Sequence, residues 1–320
     1  MLKRGAMLSI LAFLASSTAV SATTVPPIEP TVVTSDIDRF YELYDRAGGH
    51  PTATDLQRFY IEAGSRGLHD FVSVRDLTGV NLAAAIEANP TQFDGARRCV
   101  AALPRVRARV EVALDRLRRL YPKSTFPPIT VLIGRGKTGG TTSSTGVLIG
   151  IETLCSVDFL ESNCEDRMVH LIAHEYAHVQ QPGAEEADQH GSTVLFASLI
   201  EGGAEFVGEL ISGGLSYPHL RTWTKGRERQ TLERFVAQRD STDLKGWLYN
   251  GLGTPGAPGD LGYWAGYRVT KNYYERARDK HRALAEILGV TPQSASGILE
   301  GSGLVAGGLE PNASGRGAPK

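Results

Sequence analysis

A short segment near the middle of the chain carries two histidines and a glutamate at a spacing that suits metal chemistry. His174, Glu175 and His178 form the pattern H-E-x-x-H. In a helix, residues four apart lie one above the other, so both imidazoles can reach one zinc ion. Glu175 lies about 100° around the helix axis, where it can reach a water molecule beside the metal. The spacing predicts a catalytic zinc site with Glu175 as general base.

A further histidine, His170, precedes His174 by four residues and shares its helix face. At about 1.5 Å of rise per residue, His170 and His178 are separated by about 12 Å along the axis. Ligands of one tetrahedral zinc ion lie much closer together than this. We therefore expect His170 to support a ligand or to pack beside the site, and not to bind the metal.

A catalytic zinc site requires a third protein ligand, and the next helical segment offers carboxylates. Glu201, Glu205 and Glu209 follow one another at intervals of four in an otherwise apolar stretch. Carboxylates on an apolar face are costly unless they are paired or bound to a cation. The alternative is that these glutamates face solvent, and this alternative has more weight for Glu209 than for Glu201. Gly202 and Gly203 each weaken a helix by about 1 kcal/mol relative to Ala. Because this cost calls for a compensating reason, we expect the two glycines to allow close approach to the predicted helix that carries His174 and His178.

The elements that must position these residues are mostly helices. Two short β-branched segments, residues 129–133 and 146–151, are bounded by Gly or Pro and predict strands. The Gly-rich residues 134–145 lack the order of a phosphate-binding loop, so we interpret them as a flexible hairpin connection. Apolar periodicity predicts helices within residues 36–121 and over residues 165–181, 193–213, 224–239, 262–278 and 281–289. The expected fold class is α+β, mostly α-helical, with a small β-sheet.

The first 22 residues have the pattern of a signal peptide. Lys3 and Arg4 precede an apolar run, and small residues follow up to Ala22. We expect cleavage after Ala22, export to the periplasm or secretion, and no stable membrane span afterwards. The chain has 34 Lys+Arg and 35 Asp+Glu among its 320 residues, a balance that argues against nucleic acid as a partner.

Three cysteines follow the signal-like segment: Cys99, Cys155 and Cys164. An exported protein meets an oxidising compartment, where disulfides form. Cys155 and Cys164 bracket a short loop, and a disulfide between them would leave Cys99 over. A pairing through Cys99 stays open. No Cys-x-x-Cys pattern occurs, so cysteine is not the expected metal ligand.

These motifs together resemble a known group of enzymes. H-E-x-x-H at residues 174–178 is followed by E-G-x-A-E at residues 201–205 and by G-Y-x-x-G-Y at residues 262–267. This combination resembles the gluzincin branch of zincin metallopeptidases, and in particular a group of bacterial predicted zinc-dependent proteases. The resemblance covers roughly residues 129–290.

The resemblance implies roles for several further residues. Glu201 corresponds to the third zinc ligand of gluzincins, and Glu205 to a residue that holds a ligand histidine. Tyr263 corresponds to the tyrosine that helps to stabilise the oxyanion, with Tyr267 as the alternative.

The implied activity is zinc-dependent hydrolysis of peptide bonds in a peptide or protein substrate. We expect strand 146–151 to be the sheet edge along which an extended peptide pairs. The alternative is a catalytically silent zinc-binding protein that serves as a peptide-binding or scaffold module of the cell envelope. The expected organisation is a signal peptide (1–22), an N-terminal helical region (23–128), a zincin-like domain (129–310) and a flexible tail (311–320).

Overall fold

The computed structural model describes residues 30–158, 161–187, 191–251, 253–254 and 256–304. The expected signal peptide, its cleavage site and the expected tail lie outside the described residues. Within them, the chain forms many helices and two small sheets, so the expected mostly helical α+β fold is confirmed. The expected division at residue 128 stays a prediction.

The N-terminal region is helical because apolar residues recur at intervals of three and four. Ile37, Phe40 and Tyr44 are buried on the first helix, and Val106 and Val110 on the longest one. The helices are α1 (Ser35–Arg46), α2 (Ala53–Asp55), α3 (Arg66–Arg75), α4 (Gly79–Ala88), α5 (Pro90–Gly95), α6 (Arg97–Val100) and α7 (Leu103–Leu120), with a π-helical segment at Leu56–Ile61.

The main sheet has four strands in the order β1-β2-β4-β3. They are β1 (Val32–Val33), β2 (Ile129–Leu132), β3 (Gly140–Ser143) and β4 (Gly146–Gly150). β2 pairs with β4 in parallel, and β3 pairs with β4 antiparallel.

Two expectations about this sheet were wrong. The Gly-rich residues are not a hairpin connection between β2 and β4, because they contain β3, and the hairpin joins β3 to β4. β4 is therefore an inner strand, and β3 is an edge strand. The sequence Gly-Thr-Thr-Ser of β3 is polar and half-buried throughout, so it lacks the apolar alternation that identifies a strand.

The helices after the sheet carry the motifs, and their bounds agree with the expected ones to within a few residues. They are α8 (Ile151–Ser156), α9 (Cys164–Val179), α10 (Ala184–Ala187), α11 (Val194–Ser212), α12 (Pro218–Thr224), α13 (Glu228–Gln238), α14 (Leu261–Arg276), α15 (Lys280–Leu288) and α16 (Ala295–Gly301), with a small hairpin of β5 (Gly253–Thr254) and β6 (Ala257–Pro258). The Asn163 side chain caps α9, the Thr193 side chain caps α11, and Gly213 ends α11 at a φ of 91°.

α11 lies between α9 and α14, and glycines permit both contacts. A Cβ at Gly202 would lie 2.1 Å from the backbone nitrogen of Tyr267, and one at Gly266 would lie 1.7 Å from the carbonyl oxygen of Ser198. A Cβ at Gly208 would lie 3.2 Å from the backbone nitrogen of His174. The expectation for Gly202 was therefore wrong in its partner, because Gly202 admits α14, and Gly208 is the glycine of α11 that lies against the backbone of α9.

One hydrophobic core joins the N-terminal helices, the sheet and α9. Phe40, Leu68, Val131, Leu148 and Ile172 are all buried in it. None of the helices in the described part of the chain combines the length and the apolar character that crossing a bilayer requires.

The cysteines pair differently from the first expectation. Cys99 on α6 forms a disulfide with Cys155 on α8, and Cys164 is a half-buried free thiol. The expected Cys155–Cys164 pairing was therefore wrong, and the pairing through Cys99 is the one observed. The reason is the packing of α6 against α8, which brings together two cysteines 56 residues apart in sequence.

Candidate metal centre

Three side chains from α9 and α11 converge where these two helices face each other. His174 and His178 face each other with their Nε2 atoms 3.0 Å apart. Oε2 of Glu201 lies 3.1 Å from Nε2 of His178 and 3.5 Å from Nε2 of His174. One donor atom from each residue lies within 4.8 Å of the others, and this group could hold a metal ion.

A carboxylate on the next turn of α11 fixes the ring of His174. Nδ1 of His174 lies 3.1 Å from Oε2 of Glu205. Glu205 also accepts hydrogen bonds from the Ser216 hydroxyl and, at 2.9 Å, from the backbone N–H of Tyr217. A carboxylate oxygen accepts, so Nδ1 of His174 donates this hydrogen bond, and Nε2 is the ring nitrogen that faces His178 and Glu201.

The ring of His178 is held by Gln181, which belongs to none of the motifs that predict the site. Oε1 of Gln181 lies 2.7 Å from Nδ1 of His178, and Nε2 of Gln181 donates to the carbonyl oxygen of Ile200 at 2.9 Å. The amide is therefore oriented with its oxygen toward the ring, which places the proton of His178 on Nδ1 as well. The signal that could have found it is its place three residues after His178, just past the end of α9.

The arrangement fits a divalent cation. In these tautomers two lone pairs and a carboxylate oxygen point at one another, which is unfavourable unless a proton or a cation lies between them. Burial would lower the pKa of His174, but hydrogen bonds to Glu201 and Glu205 raise it to about 10. Burial would raise the pKa of Glu201, but the two imidazoles lower it. The electrostatic environment that favours a proton between these atoms also favours a metal ion there. Two imidazoles with one carboxylate are typical zinc ligands.

Glu175 lies beside this group and is buried. Burial raises the pKa of its carboxyl group, although the two histidines act in the opposite direction. A Cβ added at Gly140 would lie 2.7 Å from Oε1 of Glu175, so edge strand β3 passes directly against this carboxylate.

Tyrosines surround the centre in different ways. The ring of Tyr263 lies nearly parallel to that of His174, with a centroid distance of 6.0 Å. The hydroxyl of Tyr267 instead donates to Glu209 at 2.8 Å, and Lys271 donates to both. Tyr249, which the sequence did not single out, donates from its hydroxyl to Oε1 of Glu201 at 3.4 Å.

His170 takes no part in the converging group. Its Nδ1 lies 2.9 Å from the Ser212 hydroxyl, and a Cβ at Gly214 would lie 2.3 Å from its Nε2. The ring therefore packs against the end of α11, one turn away from His174. Burial lowers its pKa, which favours the neutral form.

The model of one family, described as "Predicted Zn-dependent protease (DUF2268)", matches residues 130–294. No curated protein and no solved structure matches the chain. The matched segment covers just over half of the chain and includes the strands β3 and β4 and the helices α9, α11 and α14. The chain therefore belongs to the Predicted Zn-dependent protease (DUF2268) family.

Proposed function

We propose that the protein is a zinc-dependent peptidase in which His174, His178 and Glu201 bind the metal. The observation that carries this proposal is the convergence of three donor atoms beside a buried glutamate. Zinc bound there would supply a Lewis acid that polarises a carbonyl group and lowers the pKa of a water molecule. A catalytically silent scaffold protein would have no need of Glu175.

Glu175 is the proposed general base. Its carboxylate accepts the proton of the attacking water and passes it to the amine that leaves when the peptide bond breaks. Its burial supports this role, because a raised pKa brings a carboxyl group closer to the range in which it can both accept and donate a proton near neutral pH.

The proposed substrate is an extended peptide that pairs with edge strand β3. Strand β4 cannot take this role, because β2 and β3 occupy both of its sides. Among the described strands, β3 pairs with β4 alone, and it passes beside Glu175, so a peptide added to its other side would lie next to the base. Binding through the main chain would impose little sequence preference.

A hydroxyl group that donates to the carbonyl oxygen is the remaining part of the proposed mechanism. The family resemblance assigns it to Tyr263, and the position of the Tyr263 ring against His174 supports this assignment. Tyr267 is the weaker candidate, because Glu209 and Lys271 already bind its hydroxyl.

We also propose that the protein works outside the cytoplasm. The disulfide between Cys99 and Cys155 supports export, since such bonds persist in oxidising compartments. Mass spectrometry of the protein purified from periplasmic and secreted fractions would test the expected cleavage after Ala22.

The proposal is tested by comparing the protein with Glu175→Gln. Both should bind one zinc ion by elemental analysis, and only the unaltered protein should cleave a peptide library, with a chelator abolishing the cleavage. The expected loss in Glu175→Gln is about a hundredfold to ten-thousandfold. Glu186→Gln, which alters an exposed glutamate, is the matched control. A protein that binds zinc and cleaves no peptide would favour the scaffold alternative.

A further inference from the structure

Arg75 is a half-buried arginine beside edge strand β3 that has no carboxylate partner among the described residues. It is the last residue of α3, and its guanidinium donates to the Thr141 hydroxyl of β3 at 2.7 Å. Its Nε atom is buried without a hydrogen-bond partner, and no described residue forms an ion pair with it. A guanidinium has five N–H donors, so Arg75 can bind a further acceptor.

The missing carboxylate distinguishes Arg75 from a comparable arginine. Arg167 also has a buried Nε atom without a partner, but its guanidinium pairs with Asp158 at 2.9 Å. Burying a charge is costly unless the charge is paired. The unpaired guanidinium of Arg75 therefore favours an anion that comes from outside the chain.

Consecutive residues of β3 lie beside Glu175 and beside Arg75. A Cβ at Gly140 would approach Glu175, whereas the side chain of Thr141 contacts Arg75. Side chains alternate between the two faces of a strand, so Glu175 and Arg75 lie on opposite faces of β3. Burial raises the pKa of Glu175 and the charge of Arg75 opposes this rise, so the guanidinium lies within electrostatic reach of the proposed base.

A peptide that pairs with β3 presents one side chain to each of these groups. In an antiparallel pair, residues directly opposite each other have Cβ atoms about 4.5–5.5 Å apart. The peptide residue opposite Gly140 lies on the face of Glu175, and the adjacent residue, opposite Thr141, lies on the face of Arg75. A carboxylate at this second position comes within reach of the guanidinium.

The charges on α3 restrict the carboxylate to this end of β3. Asp70 accepts a hydrogen bond from the Thr145 hydroxyl at 2.8 Å, in the turn that joins β3 to β4. Arg75 instead contacts the strand at Thr141. Opposite charges on one face of a sheet stabilise a pairing and like charges destabilise it. A carboxylate is therefore attracted near Arg75 and repelled near the turn.

We propose that Arg75 is a specificity-determining residue that binds a carboxylate group of the peptide paired with β3. The carboxylate is an Asp or Glu side chain, or the C-terminus of the peptide, and a guanidinium binds either through charge-assisted hydrogen bonds. This inference rests on the proposed peptidase function and deepens it by naming the substrate class. Main-chain pairing with β3 imposes little sequence preference, and Arg75 adds a preference for a carboxylate near the cleaved bond.

The test begins with a peptide that the zinc-loaded full chain cleaves. Glu or Gln is placed in turn at each position near the cleaved bond, and each peptide is made with a C-terminal acid or a C-terminal amide. We would measure kcat/KM for the unaltered protein, Arg75→Gln, Arg75→Lys and two controls. Arg66→Gln removes the same charge from an exposed arginine of the same helix. Thr141→Val removes the hydroxyl that Arg75 contacts and keeps the charge of Arg75.

We expect the unaltered protein to favour one carboxylate peptide over its uncharged counterpart by about tenfold to a hundredfold in kcat/KM, the usual worth of a hydrogen bond to a charged group. Arg75→Gln should lose this preference and still cleave the uncharged peptide, which shows that the variant is folded. Arg75→Lys should retain part of the preference, because it keeps the charge without the planar fork. Arg66→Gln and Thr141→Val should retain it.

The peptide series also identifies the source of the carboxylate. A preference for Glu over Gln at one position assigns the carboxylate to a side chain. A preference for the C-terminal acid over the amide assigns it to the C-terminus. Either result supports the inference, provided that the preference disappears in Arg75→Gln.

Binding without cleavage provides a second readout. Fluorescence anisotropy of labelled peptides gives their Kd on zinc-loaded Glu175→Gln, in which we expect no cleavage. The carboxylate peptide should bind at least tenfold more tightly than its uncharged counterpart. The double variant with Arg75→Gln should bind the two peptides equally.

Three results would overturn the inference. Equal cleavage of carboxylate and uncharged peptides by the unaltered protein would exclude recognition of a carboxylate. A preference that persists in Arg75→Gln would belong to another residue. An equal loss of activity in Arg75→Gln on every peptide would restrict Arg75 to holding β3 or to acting on Glu175.

These results separate the inference from the peptidase proposal. Each of the three leaves that proposal intact if cleavage requires zinc and Glu175. If the unaltered protein cleaves no peptide, the peptidase proposal fails. The Kd values then decide alone whether Arg75 binds a carboxylate, and equal Kd values for the two peptides would refute it.

Discussion

Three glutamates at intervals of four on one helix have three different surroundings. Glu201 points its Oε2 at the two facing imidazoles, Glu205 accepts from Nδ1 of His174, and Glu209 accepts from Lys271 and Tyr267. Each carboxylate therefore has a partner, which is the condition for placing a charge on a largely apolar helix. The spacing alone shows that the three share a face, and the neighbours on α9 and α14 decide what each one does.

Glu205→Gln should weaken zinc binding about 10–100-fold, as loss of an outer partner of a metal ligand usually does. Three donors converge on the two oxygens of Glu205: Nδ1 of His174, the Ser216 hydroxyl and the Tyr217 backbone N–H. An amide replaces one of the accepting oxygens with a donor, so at least one buried donor loses its partner. Competition with a chromogenic chelator measures the affinity.

Glu209→Gln is the matched control for this experiment. It lies one turn further along the same helix, and its carboxylate contacts Lys271 and Tyr267 instead of a metal-centre histidine. It should leave the Kd of zinc unchanged. Equal affinities for zinc in the two variants would mean that Glu205 does not orient His174.

At the residue scale, the sequence indicates contacts within one helix better than contacts between elements. His174, Glu175 and His178 were identifiable because helical geometry alone brings them together. Gln181 and Tyr249 were not, because Gln181 acts from just past a helix end and Tyr249 from a loop with a left-handed backbone. No periodic pattern marks either position.

At the scale of elements, close approach decides the geometry of the centre. Gly208 lets α11 lie against the backbone of His174, and Gly140 lets β3 lie against Glu175. α9 is thus contacted by α11 at His174 and by edge strand β3 at Glu175. The sequence predicted the two helices but not β3, whose polar residues resemble those of a loop.

Gly140→Ala should lower peptidase activity while the fold is retained. The added Cβ would lie 2.7 Å from Oε1 of Glu175, and the carboxylate, as the far end of a flexible side chain, can move to relieve the overlap. A displacement of about 1 Å of a catalytic group costs on the order of a hundredfold in rate. Peptide cleavage gives the rate, and urea unfolding gives the stability.

The neighbouring residue provides the control for Gly140→Ala. A Cβ at Gly139 would lie 3.5 Å from Leu171, an ordinary van der Waals distance, and no carboxylate is among its nearest neighbours. Gly139→Ala should therefore keep its activity. If both variants are fully active, either β3 does not approach Glu175 so closely or the carboxylate has no role in the reaction.

At the scale of the whole molecule, the N-terminal helices and the sheet form one hydrophobic core with α9. Tyr60 donates to the carbonyl oxygen of Ile133 at 2.7 Å, and the Tyr176 hydroxyl on α9 donates to the carbonyl oxygen of Pro127. Apolar periodicity in the sequence predicts the helices of the N-terminal region but not the segments against which they pack. That information depends on tertiary contacts between segments far apart in sequence, which periodicity does not contain.

The disulfide is a covalent link between α6 in the N-terminal region and α8, the helix that follows the sheet, and its removal should destabilise the whole chain. Cys99 and Cys155 are 56 residues apart in sequence. For a loop of this length, the chain-entropy relation predicts a stabilisation of about 4 kcal/mol. Replacing both cysteines with alanine should lower the free energy of unfolding by about 2–4 kcal/mol, measured in urea, with zinc affinity little changed. Cys164→Ala, which removes the free thiol, is the control and should change the free energy of unfolding by less than the double replacement. The observed pairing would be refuted if Cys164→Ala lowered the free energy of unfolding more than the double replacement and peptide mapping found Cys164 in a disulfide. Only a bond through Cys164 would then account for the lost stability.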